Sequence, residues 1–176
     1  MAIKTSLRQF QQDLAQRLQS AKAQPAADTR LGVLCGQNYW LIDLGDAGEI
    51  VPVPEILAVP LTKPWFVGVT NIRGSLYSVV DFSAFSGAEP VARAQENRLV
   101  LAGSRFGINA AILVSRMLGL RNPKDFTRQE GTEGTESPGR GAPWAGANWR
   151  DADTRLWHEL KLQELVQDQD FLQVGL

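Results

Sequence analysis

Hydrophobic and polar positions follow two different patterns along the chain. Residues 5–23 show the first pattern, in which apolar residues recur at spacings of three and four among Gln, Arg and Asp: Leu7, Phe10, Leu14 and Leu18. This spacing predicts an amphipathic helix with one narrow apolar stripe, which Pro25 brings to an end. The stripe packs on this protein or on a partner, or the helix is a mobile arm. Residues 1–27 are therefore assigned to an N-terminal amphipathic helix and linker.

From residue 30 onward the pattern changes to short apolar runs separated by turn residues. Their length and their content of β-branched and aromatic residues predict strands. Four prolines between residues 50 and 64 exclude a helix there. Many short strands at regular spacing predict small β-barrels rather than a sheet of alternating strands and helices. The predicted strands are residues 30–35, 39–44, 50–53, 66–70, 75–82, 98–101, 106–114 and 117–120.

Turn residues divide this β-rich region further. Arg73-Gly74 and Gly103-Ser104 are predicted to be hairpin tips, because glycine accepts the backbone angles of tight turns. Residues 83–97 lack a regular pattern and are predicted to connect two subdomains. The first subdomain is expected at about residues 28–86 and the second at about residues 97–150.

The last third of the chain contains a low-complexity segment and a closing element. Residues 128–148 are rich in Gly, Thr, Glu, Ser and Pro, which predicts a mobile surface loop. Residues 155–167 begin with an alternating strand pattern and continue with one or two helical turns.

Composition argues against several kinds of chemistry. The 176 residues include 18 Lys and Arg and 19 Asp and Glu, giving a net charge of -1 and no excess of cations for nucleic acid. One cysteine and one histidine are too few for a Cys/His zinc site or a disulfide framework. The chain has neither a phosphate-binding P-loop nor a nucleophile elbow. We therefore expect no catalytic residues, no metal and no cofactor.

Three residues with reactive side chains each allow two interpretations. Cys35 lies in an apolar run, so a buried hydrophobic role is favoured over a reactive thiol. His158 lies in the closing strand, where a packed residue is favoured over a proton-transfer or phosphate-accepting role. Asp81 ends a strand, where a turn or capping role is favoured over a phosphate acceptor.

Location and local charge follow from the same sequence. No apolar run approaches the roughly 18–20 residues that a membrane helix needs, and the first ten residues show no signal-peptide pattern. A cytosolic protein is therefore expected.

Residues 93–128 contain seven basic and two acidic groups, whereas residues 129–170 contain four basic and nine acidic groups. These segments pair with each other or solvent, or the basic one steers an acidic partner.

One stretch resembles the signature of the CheW-like domain family. Residues 67–82 read V-G-V-T-N-I-R-G-S-L-Y-S-V-V-D-F, which is similar to the family's G-V-x-N-[LI]-R-G followed by V-[VI]-D-[LF]. The similarity extends to residues 39–50, 107–120 and 156–165, so that it covers about residues 28–168. Within the family, the N-terminal helix and residues 117–121 are similar to the twitching-motility branch, the PilI branch.

The resemblance implies a fold and a function. The fold is mainly β, with two side-by-side five-stranded SH3-like barrels, an N-terminal helix and a short C-terminal helix. The function is that of a non-enzymatic adaptor between the cytoplasmic tip of a methyl-accepting chemoreceptor and a CheA-type histidine kinase, in a pathway controlling type IV pilus twitching motility. Such an adaptor is recruited to the inner face of the membrane through receptor arrays. The alternative is a CheW-like module for another signalling partner, such as a response regulator.

The resemblance also implies a receptor-binding site. The family motif places Arg73, Asn71, Gly74 and Gly68 at the receptor groove, and Glu49 matches a family residue on the same side. An arginine there suits a helical receptor tip that carries carboxylates. The other interpretation is that Arg73 bridges the two barrels internally.

The resemblance is less informative about the kinase. It assigns no kinase-binding residue, although the second subdomain is expected to provide an apolar strand surface. Ser115 stands where the family usually has Asp, and Ser78 stands where Pro is common. The segment at residues 128–148 is also longer than a minimal member needs.

Overall fold

The computed structural model describes residues 29–129, 138–139 and 141–176, and these form a mainly β structure. Within these described residues, three short helices accompany the strands: α1 (Phe82–Phe85), α2 (Leu162–Leu165) and α3 (Gln169–Leu172). Short 3-10 helices occupy Ser104–Phe106 and Pro123–Asp125. The strands are β1 (Arg30–Cys35), β2 (Asn38–Asp43), β3 (Ala47–Pro52), β4 (Phe66–Ile72), β5 (Ser75–Asp81), β6 (Arg98–Ala102), β7 (Ala110–Val114), β8 (Arg116–Arg121), β9 (Thr127–Arg128), β10 (Ala145–Arg150) and β11 (Leu156–Leu160).

The strands of the described residues form two mixed sheets. One has six strands in the order β8-β1-β2-β11-β10-β9, and the other has five in the order β3-β6-β7-β5-β4. Most neighbours are antiparallel, but β2 pairs with β11 and β5 pairs with β7 in parallel. The mainly β class is therefore confirmed, with sheets of six and five strands where the resemblance implies two barrels of five.

The sheets do not separate at the connector of residues 83–97, where the sequence pattern predicts a boundary. The six-stranded sheet combines β1 and β2 with β8–β11, whereas the five-stranded sheet uses the chain from β3 to β7. The sheets combine distant parts of the chain because of β2. This strand pairs with β1 along one edge, and the backbone N–H and C=O groups of its other edge also require hydrogen-bond partners. The closing strand β11 fills that side, so the backbone groups of β2 are paired on both edges.

Alternation along the strands of the five-stranded sheet produces two apolar faces. Val80, Val100 and Ile112 belong to a core that also contains residues of the six-stranded sheet, such as Leu31 and Ile42. The residues that precede them in sequence point to the opposite face. They form a second cluster, which includes Val79, Leu99 and Ala111.

The segment at residues 128–148, predicted to be a mobile loop, contributes to the core. Residues 130–137 and 140 lie outside the described residues, but β10 begins within this segment and Trp144 is only 3% exposed. The prediction is therefore wrong for the end of the segment, because one large aromatic residue anchors an otherwise polar stretch. The indole packs, at ring-centroid distances of 6.1, 5.4 and 5.7 Å, against Trp40, Phe82 and Phe85.

The predicted elements at the two ends of the chain have different outcomes. The predicted N-terminal helix at residues 5–23 lies outside the described residues. The closing strand and helical turn are confirmed as β11 and α2, and the apolar side chains of Leu162 and Leu165 are buried.

Candidate functional site at the tip of the β4–β5 hairpin

The most conspicuous exposed turn joins β4 and β5. Ile72 pairs with Ser75, which leaves Arg73 and Gly74 as a two-residue loop. Arg73 has a φ of 51° and Gly74 a φ of 86°, and positive φ at both central residues is the property of a type I′ turn. The Gly74 N–H donates to Asn71 Oδ1 at 2.9 Å, so the asparagine side chain holds the turn in place.

Arginine is an energetically unfavourable residue at this turn position. A non-glycine residue in the left-handed region costs about 1–2 kcal/mol, and glycine or asparagine would cost less. The ion pair of Arg73 is exposed, and such pairs contribute about 0–1 kcal/mol. Stability alone therefore does not explain an arginine here, and strain at an exposed turn is typical of a functional position.

The ion pair of Arg73 holds its side chain beside β3. Arg73 Nη2 lies 2.6 Å from Glu49 Oε1, and the two side chains are 77% and 39% exposed. Glu49 belongs to β3 and Arg73 follows β4, which are the two edge strands of the five-stranded sheet. The sheet therefore curves far enough to bring its two edges together at this end.

This geometry bears on the two interpretations of Arg73. The ion pair lies within the five-stranded sheet, and no other ion pair or hydrogen bond of the Arg73 side chain occurs among the described residues. It therefore does not support a strut between the two sheets. Only one of the guanidinium nitrogens is engaged in this way, and a guanidinium carries five N–H donors.

An apolar side chain lies next to this charged turn. Leu76, opposite Asn71 in the hairpin, is 59% exposed. The end of the hairpin therefore carries an exposed apolar side chain as well as the Arg73–Glu49 ion pair. Leu76 was not among the predicted site residues because it lies within an apolar strand run, although an alternating strand exposes every second side chain on one face.

Gly68 is not part of this exposed tip. It is buried within β4, with a φ of 142°, and a Cβ added to it would overlap the carbonyl oxygen of Leu57. The glycine allows residue 57 to pair with Val69 through two backbone hydrogen bonds of 2.8 and 2.9 Å. Of the five residues predicted from the motif, the structure groups Arg73, Gly74, Asn71 and Glu49, and gives Gly68 a packing role.

The two departures from the family pattern have structural roles. The Ser78 N–H donates to the Asn109 carbonyl oxygen at 3.0 Å, a bond that the proline common at this position could not make. Ser115 Oγ accepts from the Gly36 N–H at 2.9 Å and so connects the start of β8 to the β1–β2 turn.

The other reactive side chains are part of the folded core. Asp81 accepts from the N–H groups of Ala84 and Val91, at 3.1 and 2.8 Å, and so caps α1. Cys35 is fully buried, and burial, reinforced by the charge of Asp81, raises the pKa of its thiol. His158 is 5% exposed, and burial lowers the pKa of its imidazole. These environments favour the structural interpretation of all three residues.

A second exposed apolar stretch lies in the connection between β3 and β4. Leu57 is 62% exposed and Leu61 is 80% exposed, and the backbone of residue 57 pairs with β4. The sequence signal for this stretch was a run of apolar residues that four prolines keep from forming a helix. No helix in the described part of the chain is long and apolar enough to cross a membrane.

Comparisons with known proteins agree with this architecture. Residues 30–170 match the family model described as the CheW-like domain. Protein PilI from Pseudomonas aeruginosa is 27% identical over 92 residues, which are 52% of this chain and 51% of the relative. The chain therefore matches about half the length of that relative.

A solved structure provides a comparison of the fold. The crystal structure of scaffolding protein TtCheW from Thermoanaerobacter tengcongensis matches with a TM-score of 0.62 and 15% identity. The match covers 76% of this chain and 88% of that chain. At this level of identity the similarity concerns the fold alone.

Proposed function

This chain belongs to the CheW-like domain family, and from this premise we propose that it is a non-enzymatic adaptor of a chemosensory pathway. It joins the cytoplasmic tip of a chemoreceptor to a CheA-type histidine kinase. Its resemblance to PilI supports a pathway that controls type IV pilus twitching motility. The adaptor acts from the cytoplasm and reaches the inner face of the membrane through the receptor array.

The observation that carries this proposal is the strained, exposed Arg73 at the β4–β5 turn. Its side chain is 77% exposed, and its guanidinium pairs with Glu49. A receptor tip that carries carboxylates can use the free edge of the guanidinium, because arginine binds a carboxylate with two parallel hydrogen bonds. Leu76 beside the turn supplies apolar contact area.

The mechanism that follows from this proposal is binding alone. Glu49 fixes the arginine before the partner arrives, which reduces the side-chain entropy lost on binding. The adaptor then holds receptor and kinase in a geometry through which the state of the receptor biases the kinase. We expect dissociation constants of about tens of micromolar, as for weak, transient contacts.

Substitution of Arg73 tests the receptor site. We expect Arg73→Glu to weaken binding of a receptor cytoplasmic fragment at least about tenfold, which is about 1.4 kcal/mol. The melting temperature should fall by no more than about 4 °C, because an exposed ion pair contributes at most about 1 kcal/mol. Isothermal titration calorimetry and thermal denaturation measure the two quantities on the same sample.

Arg105→Glu is the matched control. Arg105 also has an exposed side chain in an ion pair, here with the largely buried Asp46 near β3, but it lies outside the hairpin tip. The Arg105→Glu variant should bind the receptor fragment with the same dissociation constant as the unmodified protein. Unfolding of Arg73→Glu would mean that Arg73 is a structural residue, and unchanged binding would remove it from the site.

The unmodified protein tests the adaptor role itself. If it binds neither the receptor fragment nor the kinase regulatory domain at tens of micromolar, the adaptor proposal fails. Binding of a response regulator instead would support the alternative of a regulatory module for another partner.

A further inference from the structure

Two adjoining depressions lie where the described chain begins, and both have Arg30 and Glu159 in their walls. We call the pair the Arg30 groove. The larger depression has a volume of about 170 Å³, and its walls also include Asp43, Asp46 and Glu164. The smaller one, about 30 Å³, is lined mainly by apolar side chains: Leu41, Pro123, Phe126 and Trp149. One groove therefore combines a polar part with an apolar notch.

The polar part carries an excess of negative charge. Four carboxylates line it against two cations, Arg30 and Lys161, and Arg105 outside the lining pairs with Asp46, which leaves an excess of one negative charge. Arg30 Nη1 already lies 3.4 Å from Asp43 Oδ2 and 3.3 Å from Glu159 Oε1, so one guanidinium faces two carboxylates. A cationic occupant would reduce the remaining repulsion among these carboxylates.

The preceding segment of this chain has the complementary composition. Residues 1–28 contain four basic and two acidic groups. In the predicted helix, Arg17 follows Leu14 by three residues and Lys22 follows Leu18 by four, so both cations lie beside the apolar stripe. The segment therefore has an apolar stripe flanked by positive charge, and the groove has an apolar notch beside negative charge.

The distance along the chain permits this contact. Residues 24–28 join the predicted helix to Thr29, and five residues span at most about 17 Å when extended. Arg30, one residue further on, is itself in the wall of both depressions. The end of the predicted helix is therefore held close to the groove, at a high effective concentration.

We propose that residues 5–23 dock as an amphipathic helix in the Arg30 groove of the same chain. A leucine of the stripe, Leu14 or Leu18, packs over the mouth of the notch beside Phe126 and Trp149. Arg17 and Lys22 lie over the carboxylates of the polar part. This inference is independent of the adaptor function, and it makes the N-terminal segment a part of the folded domain.

The test is hydrogen exchange, followed by mass spectrometry, on the full chain and on Leu14→Glu/Leu18→Glu. Docking covers the strands and turns around the notch, so the double substitution should expose them. We expect amide exchange in peptides that contain Phe126 and Trp149 to become at least about threefold faster, because local opening becomes easier. Peptides of the five-stranded sheet should be unaffected.

Gln12→Glu/Gln16→Glu is the matched control, since it adds the same charge on the opposite face of the predicted helix. In this control variant, the amides around Phe126 and Trp149 should exchange at the same rate as in the unmodified chain. The proposal is overturned if the leucine variant leaves these peptides unchanged, or if the control accelerates them equally. It is also overturned if protection in the unmodified chain rises with protein concentration, because the occupant would then be a second copy.

Discussion

Replacing Gly68 with alanine distinguishes a packing role from a binding role within the family motif. The new Cβ would overlap the carbonyl oxygen of Leu57 and lie 2.8 Å from its carbonyl carbon, both of which are backbone atoms. Relief requires the segment at residue 57 to move away from β4, which breaks its two hydrogen bonds to Val69. The φ of 142° adds strain for a residue with a side chain.

The magnitude follows from these contacts. Two backbone hydrogen bonds contribute about 0.5–1.5 kcal/mol each, and an unfavourable backbone conformation costs about 1–3 kcal/mol. We therefore expect Gly68→Ala to lower the free energy of unfolding by about 2–6 kcal/mol. Gly74→Ala should cost only about 1–2 kcal/mol, because Gly74 has a positive φ but no atom within 4 Å of the position that a Cβ would take.

Urea denaturation followed by tryptophan fluorescence measures both variants on a common scale. The comparison isolates the steric contribution, since both positions have positive φ and only Gly68 lacks space for a side chain. Equal losses of stability in the two variants would refute the reasoning. Gly68 would then again be a candidate receptor contact.

Three further predictions concern buried side chains. Trp144→Ala should lower the free energy of unfolding by about 3–5 kcal/mol in chemical denaturation, because it empties an aromatic core; a loss below about 1 kcal/mol would contradict this packing. Asp81→Ala should cost about 2–4 kcal/mol by the same assay, because it leaves the N–H groups of Ala84 and Val91 without their acceptor; unchanged stability would exclude the cap. Burial lowers the pKa of His158 from 6.5, so the unfolded state binds its proton more readily and stability falls as the pH drops through 6.5; His158→Gln should flatten this part of the stability profile, and an unchanged slope would assign it to other groups.

Local sequence signals predicted the local structure of this protein well. The eight apolar runs correspond to β1–β8, because period-two alternation and turn residues are properties of neighbouring positions. The Arg73-Gly74 tip and the role of Asp81 were predicted for the same reason. Both depend on hydrogen bonds between residues at most ten positions apart.

The pairing of strands and side chains that are far apart in sequence was harder to predict. The pairing of β2 with β11 joins residues more than a hundred positions apart, and no local pattern specifies which strand fills that edge. Trp144 was missed because a single aromatic residue hardly changes the composition of a polar segment. The ion pair between Arg73 and Glu49 joins residues that the motif places on one side, but its geometry depends on the curvature of the sheet.

The interleaved path of the chain has a consequence for the order of events during synthesis. All strands of the five-stranded sheet have been made once β7 is complete, so this sheet can form while later residues are still being translated. The strand β2 must wait for β11, which is the last strand of the described chain to be made. Until then one edge of β2 is open, so a nascent or truncated chain is exposed to aggregation there, although its other sheet is complete.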